Sequence, residues 1–350
     1  MRVKVKATDL LSACNEAKPY TKARGLVVDT AIVLRRDAGG PLRVSAGSLH
    51  RVTTAIDCEA EAPFAAAVDA RTLIATLKTL DGDVALSVEP GKLHLNTATL
   101  PSIAGDFPKD MPAAKTLGAA NATLAIRQID EVAYAMSKDD TRPRLAAMRF
   151  ESGYTVASDG SRLAKSASAD TRVPDMTLPR AAVPLFRHAL KGITGLAVVG
   201  PRLCVVRGAS THWFTLNDVP FPPWRQVVPQ HYTHTARFDA ASLRLSVALL
   251  LGDKSTRPDR ARQEPSSTWR FAESACEVSA DGCAERIELR AFVVPFSIAM
   301  NPAYVADALA HGSSTTTTIE MRMNGELDPV VFVVEGSDAI HLVMPMRIRP

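Results

Sequence analysis

The chain has 350 residues, 46% hydrophobic and 22% charged, with a formal net charge of +4. That length exceeds one ordinary core and suits two or three domains, and the composition is that of a soluble globular protein rather than a disordered or collagenous one. No stretch approaches the roughly 18 apolar residues of a membrane span, and the opening MRVKVKATDLL alternates like a strand and lacks a signal peptide's apolar run; the expectation is a cytoplasmic protein with no membrane partner.

In chain order, three features appear and then recur twice. The first is a helix-like segment running into a basic turn, TDLLSACNEAKPYTKARG (8–25), with Leu10, Leu11, Cys14 and Ala17 on one face. The second is strand, tight polar turn, strand: RVSAGSLHRVTTAI (43–56), where Gly47 supplies a residue tolerant of positive φ. The third is a strand entering a second helix and then further strands, FAAAVDARTLIATLKTLDGDVALSVEPGKLHL (64–95). The second round is IRQIDEVAYAMSKDDTRPR (126–144), TVASDGSRLAKSA (155–167) and MTLPRAAVPLFRHALKGITGLAVVGPRLCVV (176–206). The third is AASLRLSVALLLGDKSTRPDR (240–260), EVSADGCAERIELRA (277–291) and AFVVPFSIAMNPAYVADALAHG (291–312), followed by TTTTIEMRM and DPVVFVVEG.

Val44, Val156 and Val278 hold equivalent places, as do Gly47, Gly160 and Gly282. The repeat is therefore of domain length. Asp69, Pro179 and Asn301-Pro302 are expected to start the second helix of each copy, and the threonines of 313–318 are expected to begin a strand. Periodicity lapses near 110–121 and 229–236, which predicts three α+β domains at 1–117, 118–233 and 234–350. Charge is uneven, with residues 1–120 carrying +2, 121–233 carrying +5 and 234–350 carrying −3. A basic middle segment is compatible with a polyanion partner. Similar domains in a row can stack through repeated interfaces, and such interfaces close into rings where the rotation allows.

Catalytic signatures are missing. PGKL (90–93) sits in an expected hairpin without a phosphate loop's upstream glycine, and there is no G-x-G-x-x-G or G-x-S-x-G. Asp139-Asp140, flanked by Lys138, Arg142 and Arg144, reads as a charged loop with local ion pairs. His231 and His234 read as surface histidines, so no metal and no cofactor is expected. The five cysteines, Cys14, Cys58, Cys204, Cys276 and Cys283, are odd in number and scattered, which predicts buried, inert thiols rather than disulfides.

With the three copies in view, LNTATLPSIAGDFPKD (95–110), AMSKDDTRPRLAAMRFE (135–151), TVASDGSRLA (155–164), FPPWRQVVP (221–229), NPAYVADAL (301–309) and HLVMPMRI (341–348) together resemble, in order and spacing, the bacterial β sliding clamp family, the processivity subunit of DNA polymerase III. The resemblance covers essentially the whole chain. It implies an α+β fold of three repeated clamp domains (the DNA clamp fold), a head-to-tail homodimer closing a ring with helices lining the inside and sheets outside, and no catalysis. It implies as partners double-stranded DNA, the replicative polymerase's catalytic subunit, the clamp loader ATPase, and other polymerases and repair proteins that dock through short peptides. A divergent accessory or regulatory copy, or an enzyme on the clamp scaffold, are the other readings.

The sites follow from the same resemblance. An inner face should attract phosphates without reading bases, and the candidates are Lys22, Arg24, Lys78, Arg127, Lys138, Arg142, Arg187, Lys191, Arg244 and Lys254. A partner cleft between the second and third domains would be lined by Leu145, Gly160, Arg162, Leu163, Pro229, Asn301, Tyr304, Val330, Leu342, Met344, Pro345, Met346 and Arg347, flexible thioethers suiting a groove that accepts many sequences. The subunit contact would join Leu95 and Thr97 to Leu250 and Leu251. The chain departs from the family at Ser161, where a histidine is usual, and in DVPFPPW (218–224), where Pro220, Pro222 and Pro223 stiffen a loop. The end of the chain, HLVMPMRIRP, is expected to be a closing strand whose Leu342, Met344 and Met346 floor the groove while Val343 and Arg347 face elsewhere.

Overall fold

The structure, a computed structural model, describes residues 2–347 except 24–25, 61, 106, 109–110, 112–113, 115–117, 168–171, 253–265, 281–282, 291–293 and 312–316. Arg24, Lys254, Gly282 and most of the 313–318 tract thus lie outside the described residues.

The first third of the chain holds β1 (Arg2–Lys6), α1 (Ala7–Ala17), α2 (Val27–Thr30), β2 (Ala31–Arg36), β3 (Leu42–Ala46), β4 (Arg51–Ile56), β5 (Glu59–Ala60), β6 (Phe64–Asp69), α3 (Ala70–Leu77), β7 (Asp83–Glu89), β8 (Lys92–Leu95) and β9 (Ala98–Pro101). The middle holds α4 (Ala122–Val132), β10 (Ala147–Glu151), β11 (Tyr154–Ser158), β12 (Arg162–Ala167), β13 (Met176–Pro179), α5 (Val183–Ala189), β14 (Gly195–Val199), β15 (Arg202–Arg207) and β16 (Ser210–Thr215). The last holds β17 (His234–Asp239), α6 (Ala240–Leu251), β18 (Ser267–Phe271), β19 (Ala275–Ala280), β20 (Cys283–Glu288), β21 (Phe296–Met300), α7 (Pro302–Leu309), β22 (Thr318–Met323), β23 (Val330–Val334) and β24 (Ala339–Val343).

These elements gather into two compact units that cut across the middle third: residues 1–122, 172–174 and 181–216 form one, and 123–171, 175–180 and 217–350 the other. The first unit contains a five-stranded sheet ordered β5-β1-β7-β8-β9 and a seven-stranded sheet ordered β14-β15-β16-β4-β3-β2-β6. The second contains an eight-stranded sheet ordered β13-β10-β11-β12-β24-β23-β22-β17 and a four-stranded sheet ordered β20-β19-β18-β21. The two large sheets each have a seam where strands distant in sequence pair antiparallel. In the first, His212 of β16 stands opposite Val52 of β4; in the second, His341 of β24 stands opposite Ala164 of β12. β9 and β20 end their sheets among the described residues.

Helix starts follow local chemistry in two of the three expected places. Asp69 accepts from the Thr72 amide at 2.9 Å ahead of α3, and Asn301 accepts from Ala303 at 3.0 Å ahead of α7, whose first residue is Pro302. Asp239 does the same for α6 through the Ser242 amide at 2.9 Å. Pro179 instead ends β13; a 3-10 turn follows, and α5 begins at Val183 with Pro184 in its first turn. The first unit buries Leu10, Ile32, Leu34, Leu42, Leu73 and Leu77 completely. The core of the second gathers Phe238, Trp269, Met321, Val330, Phe332 and Val343, with Phe238 and Trp269 edge to face at 6.4 Å.

The cysteine expectation needs correction. Cys14, Cys204 and Cys276 are buried, burial pushing the Cys14 thiol up to about 12, but Cys58 is half-buried and Cys283 exposed. All five are free.

Each seam carries a tyrosine–histidine pair that the sequence did not announce. Tyr20, in the 3-10 turn after α1, lies 2.8 Å by its hydroxyl from Nδ1 of His212. Tyr134, in the 3-10 turn after α4, lies 2.9 Å from Nδ1 of His341. Both histidines are fully buried, and burial drives each down to about 3. The neutral ring accepts the tyrosine proton and the charged ring cannot. Near the seam of the first unit, Glu16 of α1 is ion-paired with Arg207 and lies 3.2 Å from Nε2 of His188 and 3.3 Å from that of His212.

Two outcomes are expected. Asp69→Ala should cost α3 about 1 kcal/mol, read as faster amide exchange over residues 70–77. An unfolded histidine titrates near ~6.5, so between that pH and the folded value of about 3 the unfolded chain binds protons that His212 and His341 refuse in the fold. Stability is therefore complete above that window and falls as pH is lowered through it. Thermal unfolding should show this loss between pH 7 and 4, and the double variant His212→Gln, His341→Gln, less stable at pH 7, should lose less over the same range.

Candidate functional site

The site nearest the predicted cleft is built on β12 and what it touches. Asp159 in the turn before this strand accepts from the amides of Ser161 at 2.9 Å and Arg162 at 3.0 Å, an Asx turn. Gly160 between them has φ +96°, a value that strains any side-chain-bearing residue. The turn aims the Arg162 side chain, 8% exposed, into a cage. Its Nε donates to Asp159 at 2.9 Å, Nη1 to Asp307 of α7, and Nη2 to the Tyr134 carbonyl at 3.1 Å. The guanidinium lies 4.6 Å from the Tyr304 ring and 5.3 Å from the Tyr134 ring. Burial works against the charge, but Asp307 and Asp159 outweigh it and hold the Arg162 pKa above its ordinary value.

The alternation of the strand sends the next residue to the other face. Leu163 and its cross-strand neighbour Leu342 pack there with Val156, Val331 and Trp224, and Met344, Val228 and Tyr232 pack against them. The proline-rich segment covers this patch: the Trp224 indole donates to Glu151 at 3.2 Å, with the Arg225 guanidinium 4.4 Å from its ring. Val343 joins Val330 in the core on the opposite face, as the alternation predicts. After Val343 the ladder stops, since Pro345 has no amide proton to give. Met344 donates to the Ser161 carbonyl at 2.8 Å and Met346 to that of Ala299 at 2.7 Å.

The predicted lining thus divides. Leu163, Leu342 and Met344 belong to one face of the sheet, with the half-buried Pro229 next to Val228, which packs there; Arg162 and Tyr304 belong to the other, and Asn301 is buried as the cap of α7. Leu145 and Gly160 meet at the turn, where a Cβ on the glycine would stand 3.7 Å from Leu145 Cδ1. Pro345, Met346 and the exposed Arg347 follow the strand end. Val330 is fully buried in the core and offers no surface. Sequence reasoning missed Tyr134, Asp307, His311 and His341. His311 stacks on Tyr134 at 4.8 Å and on His341 at 5.4 Å. The available signal was the double occurrence of a tyrosine after the first helix and a histidine in the last strand.

The predicted phosphate contacts are of three kinds. Lys78, Lys138 and Lys191 are exposed and Arg187 is half-buried. Lys22, Arg127 and Arg142 are exposed but ion-paired, with Asp29 at 3.0 Å, Asp338 at 2.5 Å and Asp139 at 3.5 Å. Arg244 donates to the carbonyls of Leu309 at 2.8 Å and His311 at 3.3 Å, so it caps the end of α7. Asp139 makes the expected local ion pair, with Arg142, but Asp140 pairs with the distant Arg180 at 2.6 Å instead of with a flanking residue. His234 stacks on Phe296 at 5.0 Å. Of the predicted subunit contacts, Leu95 is fully buried on β8, Thr97 is exposed in the turn before β9, and Leu250 is buried and Leu251 half-buried. The leucines that α6 exposes are Leu245, at 62%, and Leu249, at 53%.

No protein-family model matches the chain. In sequence it is 27% identical over 283 residues to the β sliding clamp of Vibrio cholerae, covering 77% of this chain and 75% of that protein. In structure it superposes on the DNA polymerase III β subunit of Pseudomonas aeruginosa with a TM-score of 0.84 at 21% identity, over 99% of this chain and all of that one. The sliding clamp of Bartonella birtlesii bound to griselimycin gives 0.82 at 18% identity, with the same coverage. Neither structural match rests on close sequence identity, yet both run the full length of the chain. The chain has the fold of the bacterial DNA polymerase III β sliding clamps and is similar in sequence to a member of that family.

Proposed function

We propose that the chain is a DNA sliding clamp, a non-catalytic subunit that confers processivity on a replicative DNA polymerase. Two copies would close head to tail around duplex DNA, each contributing three clamp domains at about 1–117, 118–233 and 234–350. The observation that carries this reading is the full-length structural likeness to β clamps. The accessory-copy and enzyme alternatives have no observation of their own in their favour. Lys22, Lys78, Lys138, Arg142, Arg187 and Lys191 would face phosphates on the inside, giving attraction without base readout. The half-buried Met344, Pro345 and Met346 at the strand end, backed by the buried Leu163 and Leu342 and rimmed by Tyr304 and Arg347, would take short apolar segments of the polymerase catalytic subunit, the clamp loader and repair proteins, in the cytoplasm.

The subunit contact can be argued from the internal repeat. Leu10, Cys14 and Ala17 on α1 match Ala125, Ile129 and Val132 on α4 and Leu243, Val247 and Leu250 on α6, all buried. Ser12, Arg127 and Leu245 therefore share one position, and Glu16, Glu131 and Leu249 another. In the first two repeats these positions hold polar bridges, Glu16 to Arg207 and Arg127 to Asp338. In the third they are exposed leucines on the helix beside the edge strand β20. A second copy's β9, itself an edge, would complete a third seam and cover them.

Sedimentation should give a dimer at micromolar concentration, and Leu249→Glu together with Leu245→Glu should give a folded monomer. Loaded onto DNA, the wild type should stay on closed circles and run off linear molecules. A monomeric wild type, or equal release from both DNA forms, would sink the clamp reading.

A further inference from the structure

The cage around Arg162 does more than satisfy a buried charge. It joins β12 to α7, the helix that carries the half-buried Tyr304. We propose that Arg162 and Asp307 form an ionic latch that fixes α7 against β12, with Tyr134 as a backstop, and that Asp307 and Tyr134 are positioning residues for the partner cleft. The inference rests on the clamp reading for what the cleft receives, though not for the latch itself.

Three observations support it. The guanidinium uses all three of its nitrogens, on Asp159, Asp307 and the Tyr134 carbonyl, so it has one available pose. It lies within reach of both the Tyr134 and the Tyr304 rings, so that pose dictates where the Tyr304 ring can rest. The far end of α7 is held separately by Arg244, which bonds the carbonyls of Leu309 and His311. The helix is pinned at its end by one arginine and along its side by another, and only the side attachment reaches the cleft.

The first unit supplies an internal comparison. α5 and the Leu190 that follows it bury Val183, Phe186, Ala189 and Leu190 with the spacing at which α7 buries Pro302, Val305, Ala308 and Leu309. His188 therefore stands where Asp307 stands, and Leu185 where Tyr304 stands. Counting back along the seams from His212 and His341, His50 stands where Arg162 stands. The first seam has the same tyrosine–histidine pair but neither half of the latch, and its His188 turns to Glu16 instead. The latch is thus separable from whatever holds a seam together, which points to a role confined to the second.

Half of the Asp307 side chain is exposed while Arg162 is buried, so the latch is open to screening by salt from one side. Losing the carboxylate leaves a buried cation with one acid partner fewer. α7 should then shift or fray on the side that carries Tyr304.

The test uses the full chain, griselimycin as probe, and two readouts. Asp307→Asn should weaken griselimycin binding roughly tenfold in calorimetry and speed amide exchange over residues 302–309. Asp307→Glu should recover most of both. Raising salt should weaken the wild type toward the Asp307→Asn value and leave that variant nearly unchanged. Unchanged binding and unchanged exchange in Asp307→Asn would overturn the latch, as would an Asp307→Glu variant no better than Asp307→Asn. If the wild type fails to bind griselimycin, the clamp reading is damaged while the exchange measurement still decides the latch.

Discussion

Backbone pairing across the seams is the constraint on which the rest depends. A strand leaves amide and carbonyl groups along both sides, and those buried must find partners. β4 and β12 find theirs on β16 and β24, strands from much later in the chain. That is why the two compact units divide the middle third of the chain between them: one takes α4 and β10 to β13, the other α5 and β14 to β16. Sequence neighbours part company because their sheets belong to different seams.

The repeat was legible because it is written in features that packing cannot disguise. Three helices with an apolar face, three tight turns and three second helices recur in order, and two of the three expected cap residues at the second helices are in place. What was hidden is the polar content of the seams. Tyr20 and His212 are 192 positions apart, and Tyr134 and His341 are 207 apart. No local pattern announces a bond across such a distance, and a histidine inside an apolar strand reads as an isolated oddity until its tyrosine is beside it.

The candidate cleft was legible residue by residue but not in its geometry. The pleat separates Arg162 from Leu163 and Val343 from Leu342, so a list drawn along the chain mixes two faces of one sheet. Val330 was misplaced for this reason, being paired with Val343 and sharing its direction. Arg244 looked like a free cation because capping a distant helix end leaves no mark in sequence. Leu250 looked like contact surface because hydrophobicity alone does not tell the buried stripe of α6 from Leu245 and Leu249 on its outer flank.

The distribution of thiols has a practical meaning. Cys14, Cys204 and Cys276 are buried, and burial raises the pKa of each, so they hold little of the thiolate that reacts. The half-buried Cys58 and the exposed Cys283 remain. Cys283 opens β20, which ends its sheet among the described residues. Replacing Cys58 would leave one addressable sulfur on that edge, a native attachment point for a fluorophore or spin label that reports on whatever comes to lie beside it.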